Sequence, residues 1–317
     1  MPELPEVQTT VNGLKKAVVG LNIADVWSDY DSVHHKGADN IKDRKYFARF
    51  KEEIIGSKII SIERRAKNIL MNLDSGKTIL VHMKMTGHLL YGEYEFNRSE
   101  KMAQRRDRIS VRWIPISPES LRDPFNRHIH FVISFDNGKR LALSDARKFA
   151  KVTLLSTKEA HQSDHLNEIG PEPLGNKFTF DVFIDRLRLR PNGKIKQVLM
   201  DQKVIAGIGN IYSDEVLWRA GIHPLGQVKN IPTAKTRVLF KAIKQTLSRG
   251  IDLGGDSMSD YRNILGERGK FQEHHRAYRS TGLKCGKPGC GGTIRRIVVG
   301  SRSAHYCDQH QKSPSNL

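Results

Sequence analysis

LMDQKVIAGIGNIYSDEVLWRAGIHP, residues 199–224, is the stretch that decides the fold. Residues 194–202 and 209–220 each carry apolar side chains at helical spacing, and Gly221 and Pro224 stop the second run. Between the runs, Gly207 and Gly209 allow a tight backbone turn and a close approach to a phosphate. Asn210 then opens the second helix, whose unsatisfied N–H groups and positive dipole end favour an anion. The other reading of AGIGN is a dinucleotide-binding fingerprint. It fails because no strand precedes the glycines and the third glycine is missing.

Working outward, helical spacing continues at 180–190 and 232–249, with Gly250 expected to end the latter. Toward the N-terminus, Val7, Val11, Leu14 and Val18 mark one face of a helix over 3–19. From about 20 to 92 the pattern predicts strands, at KIISIER (58–64), NILMNL (68–73) and TILVHMKM (78–85). Asp74-Ser75-Gly76-Lys77 reads as a hairpin turn, and Asn137-Gly138 as the turn of a second hairpin over 129–143. The expectation is an α+β multidomain protein. A β-sandwich with a leading helix fills 1–160, with a basic insertion at about 93–127. A helical domain fills 161–270, and a metal-binding hairpin with its tail fills 271–317. Residues 98–112 concentrate Arg98, Lys101, Arg105, Arg106, Arg108 and Arg112 against Glu100 and Asp107, either as a solvated loop or as a DNA-facing arm.

Charge narrows the partner. The 317 residues hold 53 Lys and Arg against 34 Asp and Glu, a net charge of +19. Such an excess implies a polyanion, and nucleic acid before a membrane, because no apolar run approaches the ~20 residues that span a bilayer. The N-terminus is acidic, unlike a signal peptide, so a soluble cytoplasmic protein without a membrane partner is expected.

The cysteines lie together near the C-terminus, as Cys285-x4-Cys290 and Cys307-x2-His310. Two ligand pairs joined by a hairpin's length of chain suit one tetrahedral structural Zn²⁺. His310 has the right spacing for the fourth ligand, and His305 is a second candidate. TIRRIVVGSRSAHY alternates between the pairs with Gly300-Ser301 as its turn; of Arg295, Arg296 and Arg302, the last sits best to grip a phosphate.

At the other end the chain begins Met-Pro-Glu-Leu-Pro-Glu. Removal of Met1 leaves Pro2 as a secondary amine, with an ordinary pKa of about 7.7–8.0. Such an amine attacks an anomeric carbon and forms an iminium. Glu3 and Glu6 stand near it as a proton shuttle and an electrostatic stabiliser. The structural alternative is a proline and two carboxylates that merely suit a helix start.

Taken together, MPELPEV (1–7), RRAKNIL (64–70), HMKMTG (82–87), SDARKFA (144–150), IGPEPL (169–174), residues 199–224 and VVGSRSAHYC (298–307) resemble the formamidopyrimidine-DNA glycosylase family, in order along nearly the whole chain. The resemblance implies a bifunctional DNA glycosylase and AP lyase of base excision repair. It would remove 8-oxoguanine and formamidopyrimidines from double-stranded DNA, acting as a monomer. It implies Pro2 as nucleophile, Glu3 as acid/base, Lys67 at the lesion and its phosphate, and Glu6 and Glu215 in support. Met85, Arg147 and Phe149 would fill the gap left by an extruded nucleotide, an apolar wedge restoring stacking. Residues 194–220 would be the family's helix–two-turns–helix, with Lys196 and Asn210 on phosphates; His82, His130 and Arg302 complete the DNA-binding set. Two departures stand out: the first cysteine pair has four intervening residues where the family usually has two, and His310 stands where most zinc-bearing members have cysteine. Two other readings carry weight. One is an endonuclease-VIII-type glycosylase for oxidised pyrimidines, which Leu4 argues against. The other is a non-catalytic damaged-DNA-binding protein.

Overall fold

A computed structural model describes residues 1–30, 33–97, 113–164 and 166–312. The basic stretch 98–112 lies outside the described residues. The chain forms two compact units. The first comprises residues 1–2, 6–167 and 254–269, and the second residues 3–5, 168–253 and 270–317. The sequence predicted three domains. Instead, the cysteine-bearing hairpin shares a unit with the helices, and 254–269 returns to the sheet unit.

The first unit contains α1 (Leu4–Ala17) from Glu6 onward, β1 (Ile23–Ser28), α2 (Arg44–Ile54), β2 (Ile59–Arg65), β3 (Asn68–Leu73), β4 (Lys77–His82), β5 (His88–Phe96), β6 (Trp113–Ser117), β7 (Ile129–Phe135), β8 (Arg140–Ser144) and β9 (Lys151–Ser156). All its strand pairings are antiparallel, in one sheet of order β2-β3-β4-β9 and another of order β1-β7-β8-β5-β6. Alternate residues of both sheets, such as Ile62, Met71, Ile79, Phe131 and Leu143, meet Val7, Val11 and Leu14 of α1 in one buried cluster. That is the sandwich with a leading helix which the alternation predicted.

Two elements differ from expectation. Residues 44–54 are helix α2 rather than strand. The Asp43 side chain accepts from Tyr46 N at 2.7 Å and so caps the helix, while Phe47, Phe50 and Ile54 fall on its inner face. The strand expected over 78–85 stops at His82, because 83–87 form a turn closed by Gly87 N donating to Met83 O at 3.0 Å, with Lys84 in the left-handed region.

The second unit holds α3 (Phe180–Arg188), α4 (Ile195–Met200), α5 (Asn210–Ala220), α6 (Thr233–Asp252) and the antiparallel hairpin β10 (Ile294–Val299) and β11 (Arg302–Cys307). Its core joins Leu4, Phe183, Leu199, Tyr212, Val216, Leu239, Ile243 and Phe271. Gly250 does not end α6. It lies inside the helix, where a Cβ would come within 2.7 Å of the Tyr212 ring and 2.9 Å of Pro5. Among the described residues no helix is long and apolar enough to cross a membrane.

Candidate functional site

In the helical unit, the start of α5 is occupied by the chain's own third residue. Gly209 at the N-cap position has no side chain to offer. Glu3, 1% exposed, supplies the cap. Its Oε2 accepts from Gly209 N at 2.6 Å and Tyr212 N at 3.3 Å, and its Oε1 from Ile211 N at 2.8 Å. Leu4 N donates to Gly207 O at 3.0 Å. A Cβ on Gly209 would sit 2.5 Å from Glu3 Cδ, and one on Gly207 2.6 Å from Leu4 Cβ. The close approach that the two glycines permit is therefore to Glu3 and Leu4, and the anion drawn to α5 is the Glu3 carboxylate. Asn210 follows as the first residue of α5, with its side-chain Oδ1 covered and unpartnered.

Lys196 also differs from expectation. It is 1% exposed, and its Nζ donates to Asp214 Oδ1 at 2.6 Å, Ser213 Oγ at 3.2 Å and Asn210 O at 3.4 Å. All three ammonium protons are engaged inside the protein, so the side chain does not reach a phosphate. The other Asp214 oxygen accepts from His305 N at 3.0 Å and His305 Nδ1 at 2.9 Å. This network binds α4 and α5 to β11. Glu215, also expected in a supporting role, is buried and accepts backbone N–H bonds from Arg276, Ala277 and Tyr278 at 2.8–3.1 Å. Burial raises its pKa, against the lowering effect of those donors. It secures the segment that leads into the hairpin.

Cys285, Cys290, Cys307 and His310 converge, with all ligand atoms within 4.8 Å of one another. Cys290 Sγ is 3.6 Å from Cys307 Sγ and 3.6 Å from His310 Nδ1, and Cys285 Sγ is 3.4 Å from that nitrogen. Zn–S bonds of about 2.3 Å and Zn–N bonds of about 2.0–2.1 Å at tetrahedral angles give edges of about 3.5–3.8 Å, so the set fits a single ion. His310 Nε2 donates to Trp218 O at 2.9 Å, which leaves Nδ1 as the ligand atom. The Trp218 indole N–H reaches Cys285 Sγ at 3.3 Å. His305, engaged with Asp214, is not part of the cluster. On the hairpin Arg295, near its open end, is paired with Asp308, and Arg296 with Ser303. Arg302, beside the Gly300-Ser301 turn, is exposed.

In the sheet unit, Lys67 occupies the two-residue loop between β2 and β3, after Ala66 at φ 53. It is 6% exposed. Across the β3–β4 register His82 pairs with Asn68, and its Nδ1 accepts from Lys84 N at 2.9 Å. Burial, with Lys84 and Lys67 nearby, pushes the His82 pKa down to about 3. The ring is therefore neutral at physiological pH and offers its Nε2–H as a donor. His130 Nδ1 donates to Asp29 Oδ1 at 2.8 Å.

Met85, Arg147 and Phe149 lie on two turns, 83–87 and 145–150, tied by Asp145. This residue is fully buried. Its Oδ1 accepts from the Thr86 hydroxyl and from Arg147 N, and its Oδ2 from Ala150 N at 2.7 Å. Phe149 is 49% exposed, and the Arg147 guanidinium stands 4.5 Å from its ring centroid. Composition alone would bury such a phenylalanine. Met1, Met85 and Phe149 line one cleft of about 600 Å³ together with Lys42, Lys84 and Lys148. Pro2, adjacent to Met1, is buried. Glu6 accepts from Asp256 N at 2.8 Å and so fastens the returning segment 254–269. No local pattern signals Asp145, Asp214 or Trp218, since their roles rest on partners remote in the chain.

Comparison with known proteins defines the class: an enzyme that excises damaged bases from DNA. Residues 1–152 match the formamidopyrimidine-DNA glycosylase N-terminal domain, and residues 169–262 the formamidopyrimidine-DNA glycosylase H2TH domain. The chain belongs to the formamidopyrimidine-DNA glycosylase family, whose members are glycosylases with AP lyase activity in base excision repair. It is 37% identical to the formamidopyrimidine-DNA glycosylase of Herpetosiphon aurantiacus over 308 residues, covering 97% of this chain and 98% of that one. With the Ruegeria pomeroyi protein of the same name it shares 35% over 313 residues, covering 98% and 100%. Among solved structures, the Lactococcus lactis Fpg complex with abasic-site DNA superimposes with a TM-score of 0.79 at 30% identity, covering 98% of this chain and 100% of that one. MutM bound to carbocyclic 8-oxo-G DNA gives 0.79 at 30% identity, with the same coverage.

Three outcomes follow from this geometry. Lys196→Met leaves Asp214 charged, buried and short of a partner, and is expected to cost about 3–5 kcal/mol in urea unfolding. Arg302→Ala is expected to stay within about 0.5 kcal/mol. The His82 ring protons are expected not to titrate between pH 5 and 8 by NMR. Because its folded pKa lies below the ordinary 6.5, protonation favours the unfolded chain. Stability therefore falls as pH drops from 6.5 toward 3, and His82→Gln flattens that limb.

Proposed function

We propose that this enzyme excises oxidised purines, 8-oxoguanine and formamidopyrimidines, from double-stranded DNA in the cytoplasm and then cuts the strand, with the amine of Pro2 as nucleophile. The observation that carries this reading is the cleft shared by Met1, Met85 and Phe149. Removal of Met1 frees the Pro2 nitrogen beside it. Similar proteins support the substrate class: a Lactococcus lactis Fpg mutant is solved with Fapy-dG DNA, and MutM with carbocyclic 8-oxo-G DNA.

The nitrogen lone pair adds to C1′ of the extruded nucleoside, and the C1′–base bond breaks, the base leaving with a proton. Collapse of the ring C1′–O bond gives the iminium, whose C2′ proton is acidic. Its loss expels the 3′ phosphate, a second elimination expels the 5′ phosphate, and water releases Pro2. Glu3 is the proton carrier in this scheme. The donors at α5 fix the position of its carboxylate but do not consume all its lone pairs. Lys67 serves the lesion phosphate. Phe149 and Met85 fill the vacated stack while Arg147 bonds to the orphaned base; an exposed phenylalanine recovers in the duplex the burial it lacks in the free protein. Asn210, Arg302, His82 and His130 contact the DNA backbone. Glu6, Glu215 and Lys196 act through the segments and side chains they hold.

Cys285, Cys290, Cys307 and His310 are assigned to one structural Zn²⁺, which closes the hairpin that carries Arg302. A Cys3His set carries one negative charge less than four thiolates would.

Sodium borohydride added during reaction with an 8-oxoguanine:C duplex is expected to trap a covalent complex. An N-terminal extension is expected to abolish trapping while leaving the unfolding midpoint unchanged. A wild-type protein that gives no adduct, equal trapping by the extended form, or preference for thymine-glycol:A defeats the proposal. Metal analysis is expected to find one zinc per chain, lost in His310→Ala and retained in His305→Ala. The reverse pattern exchanges the ligand assignment.

A further inference from the structure

Beside the wedge cleft lies a larger cavity, about 930 Å³, formed by residues 36–49. This segment was expected to be strand. It is a loop followed by α2, and it brings Lys36, Arg44, Lys45 and Arg49 to one surface, all four exposed. Lys45 and Arg49 are four residues apart on α2 and so share a face. Tyr46 forms the floor, its hydroxyl held by Thr153 Oγ1 at 2.9 Å and Leu154 N at 2.8 Å, with the Arg49 guanidinium 5.8 Å from its ring centroid. Two carboxylates line the cavity, Asp39 and Asp43. Asp43 is turned to the backbone, accepting from Tyr46 N at 2.7 Å and Gly37 N at 2.9 Å.

Lys42 lines both this cavity and the wedge cleft. Its Nζ donates to Lys148 O at 2.7 Å, so it is fixed at their junction. Burial lowers its pKa, with a further lowering from Lys84 and Lys151 against the opposing pull of Asp145; Lys151 is lowered by burial and by Lys84. The cations at the junction repel one another, a cost that a bound anion relieves.

We propose that residues 36–49 form an accessory phosphate-binding surface that grips the backbone of the duplex flank adjoining the wedge cleft. The proposal rests on the DNA-repair reading above and extends it. The occupant is a polyphosphate backbone rather than a single anion, because the cations are spread along a helix face and a loop and continue through Lys42 into the cleft that takes the lesion. Each phosphate neutralised releases about 0.9 counterion, so the surface adds to the salt dependence of binding without entering the chemistry.

The test replaces Lys36, Arg44, Lys45 and Arg49 together by alanine, and measures binding to a fluorescein-labelled undamaged duplex between about 50 and 200 mM salt. The slope of log K against log salt is expected to fall by about 3 to 4 units, at ~0.9 per phosphate. The single-turnover rate with 8-oxoguanine duplex at saturating enzyme is expected to be unchanged. Lys36→Glu alone, outside α2, is expected to weaken binding about tenfold at low salt and keeps the test open should the fourfold variant unfold. If wild type binds and traps substrate while both variants keep its slope and affinity, the accessory surface is overturned and the repair reading stands. Failure of wild type to bind DNA at all defeats both.

Discussion

The carboxylate of Glu3 at the start of α5 is the constraint on which the functional arrangement depends. A helix start leaves backbone donors unsatisfied, and Gly209 cannot cap them. Glu3 does so from two hundred residues away in sequence, with three N–H bonds and almost no exposure. Residues 207 and 209 must be glycine for it to fit. The residue before Glu3 is Pro2, so the proposed nucleophile is one peptide from a side chain that has essentially no freedom. An amine at a chain terminus is ordinarily among the most mobile groups in a protein. Here the residue next to it in the chain is held in place by helix-end electrostatics.

Two buried aspartates repeat this device. Asp214 joins α4, α5 and the cysteine-bearing hairpin through Lys196 and His305, and Asp145 joins the two turns that carry Met85 and Phe149. In each case one acceptor with several lone pairs collects donors from segments far apart in the chain. Geometry at the exposed residues is thereby set by groups that never meet solvent, and so are insensitive to salt.

The elements legible in the sequence were those with a strong local period. β2, β3 and the 129–143 hairpin follow from alternation and turn residues, and α5 from its spacing and its stop at Gly221. Helix α2 was missed although Asp43 and the Phe47, Phe50, Ile54 spacing signal it, because the surrounding strands set the expectation for the whole stretch. The exposure of Phe149 was to be expected only through resemblance, since pattern alone buries a phenylalanine. Lys196 shows the opposite limit. It was read as a phosphate ligand, but a lysine's partner depends on whether an aspartate on the next helix faces it, and spacing does not record that. Likewise the two histidines near the cysteines were separated only by the third dimension, in which His305 meets Asp214 and His310 meets the thiols. The return of 254–269 to the sheet unit rests on partners far apart in the chain, such as Glu6 with Asp256 and Asp123 with Arg262, and is invisible to any local window.

The placement of tryptophan has a consequence for how the protein is observed. Trp27 and Trp113 pack edge to face in one aromatic cluster of the sheet unit, 5.7 Å apart. Trp218 stands in the helical unit with its indole N–H on Cys285 Sγ. The two units thus carry separate chromophores in contrasting surroundings, one edge to face among aromatic rings and one beside sulfur, a quencher of indole emission. Fluorescence therefore distinguishes which half of the molecule loosens first on heating, and whether the two halves melt together or in turn.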